Sequence, residues 1–148
     1  METLFQLSAL LVVPFWLLIV LLPKWQWTRR IMNTILVIVP AALLYLFLLV
    51  SNLDTTVDFL THLFPPTLAV IQTLFGTIAG ATIAWVHFGA FDLFVGRWVY
   101  LDSQAEGISA WIVSPILLVV FLLGPLGFLL YLATRWIVGR NRLSLSTS

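Results

Sequence analysis

Hydrophobic and polar positions alternate in long blocks along this chain. Leu4–Leu22 is an apolar run interrupted only by Gln6 and Ser8, and it ends in Pro23-Lys24-Trp25-Gln26-Trp27-Thr28-Arg29-Arg30. Ile31–Val50 is a second run, and a more polar stretch with Asp54, Asp58 and His62 leads to Pro65-Pro66. From Thr67 the chain is apolar as far as Tyr100, well beyond one bilayer crossing of ~20 residues. A turn-rich loop with Asp102, Ser103, Glu106 and Gly107 precedes a last run, Trp111–Leu132, which ends at Arg135 and Trp136. The pattern predicts four transmembrane helices, 4–22, 31–50, 67–88 and 111–132, in one membrane domain over 1–142, with a frayed tail at 143–148. The third is expected to bend near Gly89 or Gly96 into an extended C-terminal end. The runs are continuous and lack the alternation of barrel strands, so helices are the spanning element. The fold class is therefore all-α, an integral membrane bundle. Pro14, Pro40, Pro115 and Pro125 fall inside spans and are expected to kink them. The first run is expected to be a retained span, because its positive charge follows the apolar stretch and no Ala-x-Ala-like site is present.

Composition sharpens this picture. Of 148 residues, 61% are hydrophobic and 9% charged, against about 25% charged in soluble domains. The net charge of +1 excludes a polybasic nucleic-acid binder. The absence of cysteine excludes disulfides, thiolate metal sites and cysteine nucleophiles. Two histidines and six carboxylates are the whole stock of general acids and bases apart from the tyrosines. One interior His and one nearby Asp fall short of a zinc ligand set, so no metal site built from protein ligands alone is expected.

The third span carries the candidate chemistry. Thr73, Gly76, Gly80, Ala84 and His87 fall at spacings that share one face of a helix. Gly76 and Gly80 form a GxxxG, and Gly76, Gly80 and Ala84 are expected to pack against another helix or to permit self-association. The same face turns His87 inward. That histidine fits an interhelical hydrogen bond, an axial ligand to a chlorophyll or haem metal, or a proton-transfer group. Asp92 and Arg97 follow at intervals of five, about 140° apart on an ideal helix, so the three side chains do not converge from one straight helix. Charges in a span cost ~2.5–3.5 kcal/mol on insertion scales, so each is either paired or functional. Asp92 fits a pair with Arg97, Arg29 or Arg30, or a catalytic role. His62 and the Asp54/Asp58 pair read as solvated loop residues. Gln6, Gln72, Tyr45 and Tyr100 read as hydrogen-bonding across helices. Most tryptophans form an interfacial belt. Trp16 and Trp85 suit a slot for a long polyene, which makes a carotenoid or chlorophyll the candidate ligand beside the bilayer itself.

Trp85-x-His87, Asp92-Leu93-Phe94, Arg97 and Asp102 resemble the abscisic-acid-deficient-4 family of plastid and cyanobacterial membrane proteins. Pro14-Phe15-Trp16-Leu17-Leu18 with Leu22-Pro23 and Thr28 resembles its first span, and Gly124-Pro125-Leu126-Gly127 with Tyr131 and Arg135 its last. The resemblance implies a thylakoid or bacterial plasma-membrane protein of xanthophyll metabolism. Its plant members are required to form neoxanthin from violaxanthin, which opens an epoxide and creates an allene without net redox change. That chemistry needs an acid at the epoxide oxygen and a base at carbon. His87 and Asp92 are the expected pair, with Arg97 balancing charge, in an isomerase or a factor that presents xanthophyll to one. The competing reading is a small non-catalytic subunit of a photosynthetic complex, contacting pigment or lipid and other membrane proteins.

Overall fold

In the computed structural model, residues 1–62, 64–65 and 67–146 are described, with side chains as far as 138. Seven α-helices and no strand occur among them. They are α1 (Glu2–Leu21), α2 (Gln26–Asn33), α3 (Val39–Ser51), α4 (Leu53–Thr61), α5 (Leu68–Gly76), α6 (Ile78–Ala105) and α7 (Ala110–Ser146). Helices α1, α6 and α7 are each long and apolar enough to cross a membrane, and α3 with α4 makes a fourth if that pair, bent by 89°, counts as one crossing. Large apolar side chains face outward along all of them, including Leu10 (71% exposed), Phe91 and Leu122. Such a surface is stable against lipid and not against water.

Several expected elements shift. The second run is not one helix from 31 to 50. Arg29, Arg30 and Ile31 belong to the short α2, a 3-10 turn covers Ile35–Val37, and α3 begins only at Val39. Pro40 therefore stands in the first turn of α3, where its missing N–H has no intrahelical acceptor to lose. The polar stretch after Ser51 is helical as α4, and His62 caps its end. The backbone stays helical through Pro14 and Pro115. Only Pro125 coincides with a break, at Leu123 (φ −139°, ψ 31°) and Gly124 (φ 15°, ψ −84°). The break takes in Gly124, the residue before Pro125, where proline disfavours the helical region and glycine reaches backbone angles that Val13 and Ser114, before Pro14 and Pro115, do not.

The third run breaks at Thr77, and α6 continues through Gly89 and Gly96 without the expected bend. One hydroxyl explains the position. Thr77 Oγ1 donates to the Leu74 carbonyl at 2.8 Å, closing α5, and accepts the Gly80 N–H at 2.9 Å, opening α6. The second bond is the one a helix-capping hydroxyl makes to an unpaired first-turn donor. At its other end α6 stops where Gly107 takes φ 58° and the Ile108 N–H returns to the Ser103 carbonyl at 2.9 Å. A left-handed glycine of this kind is a common way to end a helix. Of the expected tail at 143–148, residues 147–148 lie outside the described residues, and the backbone of α7 runs to Ser146.

The chain divides into two compact units. One comprises Met1–Val13 with Ile38–Phe91, the other Pro14–Val37 with the chain from Asp92 onward. In the first, Leu44, Leu48 and Val86 form a buried cluster with Leu4, Leu11 and Ile83 packed against it. In the second, Ile19, Met32, Leu93, Val99, Leu117 and Val120 are almost wholly buried.

Candidate functional site

The first unit contains an apolar cavity of about 280 Å³. Gly80, Ala84 and His87 line it from one face of α6, at the spacing that puts side chains above one another. Tyr45 and Leu49 contribute from α3, Thr55 and Phe59 from α4, and Leu74 and Phe75 from α5. The two glycines of the GxxxG have different roles. Gly76 ends α5, and a Cβ added there would meet nothing within 4 Å. Gly80 lies in the first turn of α6, and its Cβ would run into the Leu74 carbonyl oxygen. The break at Thr77 takes them off one continuous helix. The small residues Gly80 and Ala84 form a cavity wall.

His87 is half-buried in this wall. Its ring stacks on Phe91 with centroids 4.7 Å apart, tilts against Tyr45 at 5.4 Å and meets the edge of Phe88 at 6.0 Å. Neither ring nitrogen has a hydrogen-bond partner among the described residues. An interhelical hydrogen bond, one of the three readings open to His87, is not formed among the described residues. The cavity thus pairs apolar walls with a few polar groups, His87, the Tyr45 and Thr55 hydroxyls and Thr56, whose Oγ1 is bonded to the Leu49 carbonyl at 2.9 Å. That is the general make-up of a small-molecule site, just below the ~300–1,000 Å³ range.

The other expected site residues lie elsewhere. Trp85 is 54% exposed and packs on Phe5 at 5.4 Å, and it does not line the cavity. Trp16 belongs to the second unit, buried against Gly96 and Phe121, with its indole N–H unpartnered among the described residues. Asp92 also belongs to that unit. Its carboxylate lies over the α7 break, where a Cβ on Gly124 would meet Asp92 Oδ1 at 2.6 Å. No ion pair joins Asp92 to Arg97, Arg29 or Arg30 among the described residues. Arg97 instead donates from Nε to the carbonyls of Met32 (2.7 Å) and Thr34 (3.3 Å), and from Nη2 to that of Asn33 (3.2 Å). It caps the C-terminal end of α2, where carbonyls lack intrahelical donors and carry partial negative charge.

Gln6 bonds within its own helix, to Glu2, whereas Tyr100 reaches another element, donating to the Pro23 carbonyl at 2.8 Å. His62 and Asp58 form an exposed pair at 3.2 Å. Two arrangements escaped the sequence reading. One is the contribution of α4 to the cavity, signalled only by Thr55 and Phe59 standing four apart. The other is a cluster in which Tyr131, Arg135, Asp102 and Glu106 join α7 to the end of α6 and its following turn.

A model of the ABA DEFICIENT 4-like family matches residues 3–131. The chain belongs to that family. It is 28% identical over 113 residues to protein ABA DEFICIENT 4, chloroplastic, of Arabidopsis thaliana. That match covers 73% of this chain and 50% of the relative, so the chain spans about half the length of the ABA DEFICIENT 4 protein. No solved structure matches it. The ABA DEFICIENT 4-like match takes in His87, Asp92, Arg97 and Asp102, and ends at Tyr131.

Proposed function

We propose that this is a membrane-embedded xanthophyll-binding protein that seats one oxygenated end ring in the His87 cavity. The observation that carries the reading is the Gly80–Ala84–His87 face of α6. Two small residues open space beside an imidazole that has no hydrogen-bond partner among the described residues. The cavity is too small for a whole carotenoid and of a size for a ring. An apolar ring would bury itself against Leu74, Phe75 and Phe88, while a ring oxygen would take the hydrogen bond that His87 lacks. Membership of the ABA DEFICIENT 4-like family supports a xanthophyll as the ligand class.

Asp92 does not line this cavity, and this reading requires no acid–base division between His87 and Asp92. Holding and presenting the ring is the function this arrangement favours over isomerising it alone. The membrane would be thylakoid or bacterial plasma membrane.

The test is to purify the chain in mild detergent from a xanthophyll-producing host, then record its absorption spectrum and chromatograph its pigment. Stoichiometric xanthophyll, lost in His87→Leu at unchanged thermal stability, is the expected result. A colourless protein, or pigment retained by that variant, would overturn the reading. Chlorophyll with additional protein bands would make the chain a subunit of a photosynthetic complex instead.

A further inference from the structure

In the second unit, α2 and the residues before it form a basic, indole-bearing platform. Lys24, Trp25, Gln26, Trp27, Arg29 and Arg30 are all exposed. Thr28 and Met32, one turn apart on the opposite face, are completely buried. Arg30 lies over the Trp27 ring at 5.3 Å, and no carboxylate pairs with Lys24, Arg29 or Arg30 among the described residues.

The platform is held from three sides. Thr28 Oγ1 donates to the Leu22 carbonyl at 2.8 Å. The Tyr100 hydroxyl donates to the Pro23 carbonyl at 2.8 Å. Arg97 closes the far end on the Met32, Asn33 and Thr34 carbonyls. Helix α2 has 8 residues. A helix that short does not persist in water unaided. Here α6 side chains fix its position while its cations are left outward.

We infer that this platform is a binding site for the phosphate headgroup of an anionic glycerophospholipid. Three points select lipid over an acidic protein partner. The cations begin three residues after α1 ends at Leu21, which sets them at headgroup depth. Trp25 and Trp27 are each nearly half exposed, and tryptophan is a residue that settles at that depth. The amphipathic α2 presents basic and aromatic groups together, as interfacial helices do. Lys24, Arg29 and Arg30 supply the charge complement to a phosphodiester, which the described residues leave unmet.

The experiment uses the full chain in a neutral detergent. Phosphatidylglycerol or phosphatidylcholine is titrated in, the thermal midpoint is followed, and bound lipid is counted by native mass spectrometry. Each basic residue near an anionic surface is worth about fivefold in affinity. The half-saturating concentration of phosphatidylglycerol should therefore rise about fivefold in each of Lys24→Gln, Arg29→Gln and Arg30→Gln. It should rise about a hundredfold in the triple variant. Should the triple variant fail to fold, the single ones carry the test. Equal stabilisation by phosphatidylcholine, or single variants that respond like the unaltered chain, would overturn the proposal. So would stabilisation by glycerol phosphate at the same concentration, since that would mark a free anion site, or an acidic protein that phosphatidylglycerol does not displace.

Discussion

The Tyr131 hydroxyl donates to Asp102 Oδ2 at 2.5 Å, and Arg135 Nε donates to the same oxygen at 2.7 Å. Arg135 also reaches Glu106 Oε1 from Nη2 at 2.7 Å. Tyr131 is fully buried, with Trp98 edge-on to its ring at 5.8 Å, whereas Arg135 is 44% exposed. A hydrogen bond between a buried hydroxyl and a carboxylate contributes about 1.5–3 kcal/mol, and an exposed ion pair about 0–1 kcal/mol. Tyr131→Phe should therefore lower the thermal midpoint in detergent more than Glu106→Gln does. Asp102→Asn should exceed both, because it weakens both the Tyr131 and the Arg135 contacts. Equal effects of all three would show the cluster to be solvated throughout.

Substituting the two glycines of the GxxxG should have opposite consequences. Gly76→Ala meets open space at the end of α5 and should be neutral or stabilising by up to ~1 kcal/mol. Gly80→Ala places a methyl group against the Leu74 carbonyl, which is backbone, and should cost about 1–3 kcal/mol. A helix–helix dimer built on both glycines would lose stability at each. Thermal midpoints of the two variants decide between these outcomes.

Arg97→Gln should release the C-terminal end of α2. Its guanidinium serves three carbonyls across the fold, a set that glutamine cannot reproduce. The expected cost is about 2–3 kcal/mol. The specific readout is proteolysis, since trypsin should cut after Arg29 and Arg30 faster in the variant. An unchanged cleavage rate would show that Thr28 and Tyr100 hold α2 without it.

Ala84→Leu should fill the cavity from the α6 face while leaving His87, Tyr45 and Thr55 in place. Pigment retention should fall by about tenfold or more while the chain stays folded, measured as bound xanthophyll per protein. Ile112→Ala on the exposed surface of α7 serves as the control and should retain full occupancy.

The long apolar helices are legible where apolar residues run unbroken, as at Leu4–Leu22 and Trp111–Leu132. The breaks are not. Gly89 and Gly96 are the obvious bending points in the third run, yet both remain helical, and Thr77 interrupts the chain because one hydroxyl can cap two helices. Nothing in an apolar string separates that threonine from Thr73 or Thr82, whose hydroxyls bond back to carbonyls of their own helices. Helical spacing puts Gly80, Ala84 and His87 on one face, and that face lines the cavity, where the sequence pointed to helix packing. Part of the facing wall comes from α4, a short amphipathic helix whose threonines and aspartates carry the sequence signature of a polar loop. The partner of Arg97 was out of reach for another reason. Asp92, five residues away, is the natural choice by charge, while the actual acceptors are carbonyls, which carry no signal in the sequence.

Helix α6 has 28 residues. At the α-helical rise it is ~42 Å long, against ~30 Å for the hydrocarbon of a bilayer. Helix α1 has 20 residues and runs almost directly into Lys24. Its length is ~30 Å by the same rise. The two are tied at the end that carries Lys24, where the Tyr100 hydroxyl donates to the Pro23 carbonyl at 2.8 Å. A thicker bilayer would have to cover Asp102 and Glu106, which lie past Leu101 and pair with Arg135, and charges are costly in hydrocarbon. Along α1 the same change would pull Lys24, Arg29 and Arg30 toward hydrocarbon. We expect the cations after α1 and the acidic end of α6 to act together as one limit on the bilayer thickness that this chain accepts.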